Sequence, residues 1–139
     1  MTFTVENMDL FNVPQGYYLA HCITSDFSLG AGIAKRFDEV YNMKLKLFRD
    51  FDDDCIGEAL LVDNVFNLVT KEKAYDHPTY ATLELALVDM RETMEYLAVD
   101  KVAMPKIGCG RDGMDWGIVE SMIKRVFEDT NVNILICEL

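Results

Sequence analysis

The chain has 139 residues, half of them hydrophobic, with 24 acids against 13 bases, a net charge of −11 and a sequence pI near 4.5. Length and apolar content suit one domain with a real core, while the acidic balance opposes broad nucleic-acid binding driven by counterion release and leaves room for a nucleotide-sized ligand held by local dipoles. The opening MTFTVENMDLF lacks the basic and apolar segments of a secretory leader, no apolar run nears a membrane span, and Cys22, Cys55, Cys109 and Cys137 lack CxxC spacing, so the chain reads as cytoplasmic, with reduced thiols and no metal site.

In chain order, FTVEN (3–7) and YYLAHCI (17–23) are expected strands, rich in aromatic and branched residues. Gly30 to Tyr41 has helical spacing, with Ile33, Ala34, Phe37 and Tyr41 on one face. A second helical run, Met43 to Phe51, carries Leu47, Phe48 and Phe51 and ends in the acidic turn RDFDDD. EALLV (58–62) and VFNLVT (65–70) read as a hairpin joined by the turn pair Asp63-Asn64. After Pro78, with Thr79 as N-cap, Leu83, Leu87, Met90, Met94 and Leu97 predict the clearest helix. KVAMPKI (101–107) is then a strand. Asp115 can cap a helix whose apolar face is Val119, Met122, Ile123, Val126 and Phe127, and VNILICEL (132–139) is a final strand reaching the last residue. A hairpin in the middle, with strands alternating with helices later, predicts a mixed, mostly parallel sheet covered by helices on both faces.

Two segments share the order strand, glycine loop, helix: HCITSDFSLGAGIAKRF (21–37) and PKIGCGRDGMDW (105–116). Gly30 and Gly32 permit close backbone approach, and the helix start beyond them offers free N–H groups suited to phosphate. GAGIAK satisfies neither GxGxxG nor GxxxxGK[ST], so each loop alone is equally well read as a tight turn that packs helix on strand.

HCIT…GAGIA, LVTKEKA…HPTY and MPKIGCGRDGMDW, in this order and at these separations, resemble a macrodomain, specifically the terminal ADP-ribose protein glycohydrolase (ALC-like) subclass. The resemblance runs from MDLF to the final leucine and implies a three-layer α/β/α domain over residues 1–139. It implies that Gly30, Ala31, Gly32 and Ile33, with Ile107, Gly108, Cys109, Gly110 and Arg111, clasp the diphosphate and distal ribose of ADP-ribose. Asp9 matches the acid that accepts from the adenine amino group, although Met8 stands where the family usually has glycine. Leu10, His21, Thr24, Thr70, Pro105 and Leu139 complete the implied ADP-ribose-binding set. The NxAN signature of the mono-ADP-ribosyl hydrolase macrodomains is replaced by HCITSD.

In the subclass a lysine and an aspartate carry the reaction, and the matching residues are Lys71 and Asp112. A neutral lysine can form a covalent adduct with a sugar carbon that opens toward an aldehyde, and a nearby carboxylate can move the protons that resolve it. Neutrality would need desolvation or a nearby cation, for which Lys73 and Arg111 are candidates. Read alone, Lys71 is a solvated strand-end lysine and Asp112 a turn residue. His21 reads as a structural group beside the first loop, His77 as part of the turn before the long helix, Trp116 as packing under the second loop, and Cys109 as a small filler. Tyr80 suits ligand stacking or packing equally.

The expected activity is hydrolysis of ADP-ribose from protein Glu or Asp carboxylates, with O-acyl-ADP-ribose deacylation. The alternatives are a non-catalytic ADP-ribose reader and a glycohydrolase of ADP-ribosylated DNA bases. Expected partners are ADP-ribose and ADP-ribosylated protein, with ADP-ribosylated nucleic acid the alternative, no membrane, no cofactor, no metal and a monomeric state.

Overall fold

Five parallel strands and one antiparallel strand form a single sheet, which a computed structural model describes together with the rest of residues 1–139. The strands are β1 (Thr2–Asn7), β2 (Tyr18–Thr24), β3 (Ala59–Val62), β4 (Val65–Lys71), β5 (Lys101–Met104) and β6 (Asn133–Glu138), in the spatial order β1-β6-β5-β2-β4-β3. Only β3 runs antiparallel, as the second arm of the β3–β4 hairpin. The helices are α1 (Gly32–Tyr41), α2 (Met43–Asp50), α3 (Tyr80–Leu97) and α4 (Trp116–Phe127), and a 3-10 turn spans Leu10–Asn12.

Alternation along the strands sends successive side chains to two cores. On β4, Phe66 and Leu68 join Leu83, Leu87 and Met90 of α3 and Val119, Ile123 and Phe127 of α4. Val65 and Val69 point the other way, to Phe37 of α1 and Met43 and Leu47 of α2. The result is a three-layer α/β/α arrangement in which the central strands are buried on both faces, as parallel sheets require. No helix is long and apolar enough to cross a membrane.

Three expected boundaries move. Helix α1 begins at Gly32 rather than Gly30, with Ala31 extended (φ −154°) as its N-cap. KVAMPKI stops being a strand at Met104, because residues 105–115 leave the sheet as a loop. The last strand ends at Glu138 and leaves Leu139 outside it. The caps hold as expected. Thr79 accepts from Thr82 N–H and forms a reciprocal capping box with the Thr82 hydroxyl, and Asp115 accepts from Ile118 N–H.

Candidate active site

Strands β5, β2 and β4 lie side by side, so their carboxyl ends deliver three loops to one edge of the sheet, where open α/β sheets bind ligands. Residues 25–31 follow β2, residues 72–79 follow β4 and residues 105–115 follow β5. Between them is a cavity of about 730 Å3. Ala31 supplies no side-chain cap to α1, so the first-turn N–H groups of that helix are left to an outside acceptor. Gly108 is required by its own loop: its φ is +74°, and an added Cβ would lie 2.6 Å from the Met114 sulfur. Gly30 differs, because a Cβ there would meet nothing closer than the Ser28 carbonyl at 3.8 Å.

Lys71 and Asp112 meet on the wall of this cavity. Lys71 Nζ lies 2.6 Å from Asp112 Oδ1 and also donates to the Ala74 carbonyl at 3.1 Å. The two side chains are only 13% and 17% exposed, the least of any ion pair in the molecule. A register shift between Ile23 and Thr24 of β2 helps aim the lysine: Ile23 pairs with Val69, but Thr24 pairs with Lys71. The extra residue, Thr70, breaks the strict alternation, and Thr70 and Lys71 both line the cavity. Thr82 of α3 then donates to the Thr70 carbonyl at 2.8 Å, fixing the bulge to the helix start.

Known proteins similar to the chain share this fold. Human ADP-ribose glycohydrolase OARD1 is 35% identical over 135 residues, which cover 94% of this chain and 88% of the relative. The chain belongs to the OARD1 family of ADP-ribose glycohydrolase macrodomains. The DNA ADP-ribosyl glycohydrolase of Mycobacterium tuberculosis is 26% identical over 114 residues, and the match spans only 32% of that relative. In structure, the macrodomain of Mycobacterium tuberculosis DarG superposes with a TM-score of 0.85 at 24% identity, covering 99% of this chain and 98% of that one. No family model matches the chain.

The macrodomain gathers most of the expected residues around its cavity. Thr24, Gly30, Ala31, Gly32, Ile33, Thr70, Lys71, Pro105, Ile107, Gly108, Gly110, Arg111 and Asp112 all line it. Asp9, Leu10, His21, Cys109 and Leu139 do not. Leu10 is a core residue at 3% exposure, whereas Leu139 is largely exposed beyond β6. Cys109 packs on the α3/α4 core, with its thiol donating to the Ile107 carbonyl, as a filler would.

His21 is fully buried, because alternation along β2 turns it into the α1/α2 layer. Its ring stacks on Phe37 with centroids 4.0 Å apart. Its Nε2 lies 2.6 Å from Asn67 Oδ1, and since Asn67 Nδ2 donates to the Leu60 carbonyl, Oδ1 is left to accept from the imidazole. Burial lowers the His21 pKa to about 4, against a smaller upward pull from Asn67. Asp9 is engaged as well. Arg36 of α1 donates to both its oxygens, at 3.0 and 3.1 Å, and Phe11 N–H to one of them. These bonds, Arg36 first, hold the carboxyl below the usual range.

The charged group in contact with Lys71 is a carboxylate, while Arg111, one of the two cations expected near it, lines the same cavity. Lys73 turns to Tyr75 and Glu72 instead, which raise its pKa, so the contacts of Lys71 are Asp112 and a carbonyl. Tyr80 resolves toward packing, as its hydroxyl accepts from Asp115 N–H at the start of α4. Trp116 packs on Phe3 of β1, with the Lys106 amine 5.6 Å from its ring.

Other residues lining the cavity are not in the expected ligand-binding set. Cys22 is one, with its thiol pushed up to about 12 by burial and, less strongly, by Asp112 and Cys109. That thiol is not a nucleophile at neutral pH. Tyr75 and His77 are two more. Tyr75 follows the carboxyl end of β4, and His77 opens the HPTY segment of the resemblance. No group of three or more His, Cys, Asp or Glu side chains is placed to hold a metal ion.

Proposed function

We propose that the protein removes ADP-ribose from protein carboxylates, and from small acyl esters of ADP-ribose, through Lys71 and Asp112. The observation that carries this reading is the 2.6 Å Lys71–Asp112 pair on the wall of the cavity between the two glycine loops. A module that only bound ADP-ribose would need the loops but not the pair. Within it, the Lys71 ammonium passes a proton to Asp112 along their hydrogen bond. The freed lone pair attacks the anomeric carbon of the distal ribose. The bond from that carbon to the acyl oxygen breaks, and the carboxylate departs with the electron pair. Asp112 gives that proton to the ring oxygen and its carboxylate takes one from the nitrogen, so the ring C–O bond breaks and the ring opens to a protonated imine. Water adds to the imine carbon and passes a proton to the nitrogen, the C–N bond breaks to leave the aldehyde form of ADP-ribose and the Lys71 ammonium, and Asp112 releases its proton to solvent.

The diphosphate would lie against backbone N–H groups of Gly30–Ile33 and Gly108–Arg111. The uncapped start of α1 supports that placement. A second reading, release of ADP-ribose from DNA bases, draws support from the similarity to the mycobacterial DNA ADP-ribosyl glycohydrolase. The test is incubation with glutamate-linked mono-ADP-ribosylated protein and chromatography of the products. Free ADP-ribose should accumulate with the wild type and not with Lys71→Ala. Equal release by both would refute the lysine route.

A further inference from the structure

Arg36 belongs to neither glycine loop, yet its guanidinium is fixed from two directions. Nη1 and Nη2 donate to the two oxygens of Asp9 at 3.0 and 3.1 Å, a fork that orients the planar group. Its Cζ lies 4.3 Å over the centroid of the Phe11 ring. Phe11 rests on Phe37, with centroids 4.7 Å apart, and Phe37 is fully buried and stacked on His21. The guanidinium thus caps an aromatic stack rooted in the core. One side of it is against Phe11, and 44% of the side chain remains exposed.

Strand order sets where this surface stands relative to the cavity. Strands β1, β6, β5, β2 and β4 are parallel, so their carboxyl ends share one edge of the sheet. Along that edge Lys71 ends β4, the two glycine loops follow β2 and β5, and Asp9 follows β1, beyond β6. On the reading proposed above, the distal ribose is at Lys71 and the diphosphate at the loops, so the nucleoside end continues toward β1. Arg36 is three residues beyond Ile33, which lines the cavity, and a helical side chain leans back over the turn that precedes it.

Asp9 is already engaged there. Oδ1 accepts from Arg36 and from Phe11 N–H, and Oδ2 accepts from Arg36. We propose that the base of the ligand stacks on the open face of the Arg36 guanidinium, and that Asp9 is a positioning residue that holds this platform rather than an acceptor for the adenine amino group. Every base has a π face, and a guanidinium stacks on it whatever groups the ring carries. The site therefore takes nucleoside diphosphate riboses as a class and does not select adenine by its amine. This inference rests on ADP-ribose as the ligand of the cavity and not on the lysine route.

Calorimetry tests it with ADP-ribose and its hypoxanthine analogue, in which a carbonyl replaces the amino group. The wild type should bind the two with equal affinity. Arg36→Ala and Arg36→Lys, which keeps the charge but not the plane, should each lose about tenfold on both ligands. Asp9→Asn should weaken both together. The ultraviolet absorbance of the base should fall on binding to the wild type, and less on binding to Arg36→Ala. A melting curve of each variant separates misfolding from lost stacking, and the comparison of ligands on the wild type needs no variant. A wild-type preference for ADP-ribose of about tenfold or more would put Asp9 on the amino group and overturn the platform. Unchanged or tighter binding by Arg36→Ala overturns it too, as does full affinity in Arg36→Lys, which would leave charge alone as the contact. Failure of the wild type to bind ADP-ribose at all would overturn the ligand reading itself, which the other outcomes leave standing.

Discussion

Lys71 and Asp112 are separated by 41 positions and joined by one short bond. If the lysine attacks and the aspartate completes the reaction, their removal should differ in kind. Lys71→Ala should end turnover while ADP-ribose still binds, because the loop backbone carries the affinity. In Asp112→Ala the amine keeps its position at the Ala74 carbonyl and loses its proton slowly to water instead of to Asp112, so it still attacks and a protein adduct with ADP-ribose should accumulate slowly. Intact-mass spectrometry after long exposure to ADP-ribose checks this, and Lys71→Ala/Asp112→Ala should stay unmodified. Absence of the adduct, with near-normal turnover in Lys71→Ala, would return the site to a binding role. The chemistry asks nothing of a Lewis acid, so turnover should survive EDTA. Loss that a divalent ion restores would contradict the amine as nucleophile.

Among the elements, the start of α1 bears most directly on binding. The sequence places the helix from Gly30, but Ala31 is extended and the helix begins at Gly32, whose φ is +60°. Gly30 and the extended Ala31 thus stand in front of the uncapped first turn. Since a Cβ at Gly30 meets no protein atom closer than 3.8 Å, Gly30→Ala should leave thermal stability within about 0.5 kcal/mol. It should nevertheless weaken ADP-ribose binding by about 1–3 kcal/mol if the diphosphate packs against that backbone. Calorimetry beside a melting curve reads both. Unaltered affinity would remove Gly30 from the diphosphate contact. Gly108→Ala is the contrast, because φ +74° and the Met114 sulfur should make it costly to the fold itself.

At the scale of the whole molecule, the buried His21–Asn67 pair joins β2 to β4 under α1 and makes stability depend on pH. His21 titrates near 4 in the folded chain and near 6.5 when unfolded, so between those values the unfolded chain binds a proton that the folded chain refuses. Stability is therefore full above pH 6.5 and falls as pH drops toward 4, by ~2 kcal/mol between pH 7.5 and 5. The carboxyls held low by arginine, Asp9, Asp50 and Asp129, act only below the ordinary carboxylate range, outside this window. Urea denaturation at the two pH values checks the fall, which His21→Asn should largely abolish. An equal fall in that variant would place the titrating group elsewhere.

The sequence by itself determined the elements and the family. Period-2 and period-3.6 apolar patterns encode relations between residues a few positions apart, so six strands, four helices and the Thr79 and Asp115 caps were legible without coordinates. The same text marked two glycine loops, a lysine and an aspartate. Only the tertiary structure decided which of these meet. The strand order β5-β2-β4 sets three loops side by side, and that order follows from long-range pairing that no local period records. A one-residue bulge at Thr70 lets adjacent residues line one cavity, and strand alternation turns His21 away from it into the core. Asp9 and Tyr75 make the same point from opposite sides. The motif-bearing acid is held by Arg36 outside the cavity lining, and the tyrosine without a motif stands at the cavity, because position around a ligand is a property of the folded surface.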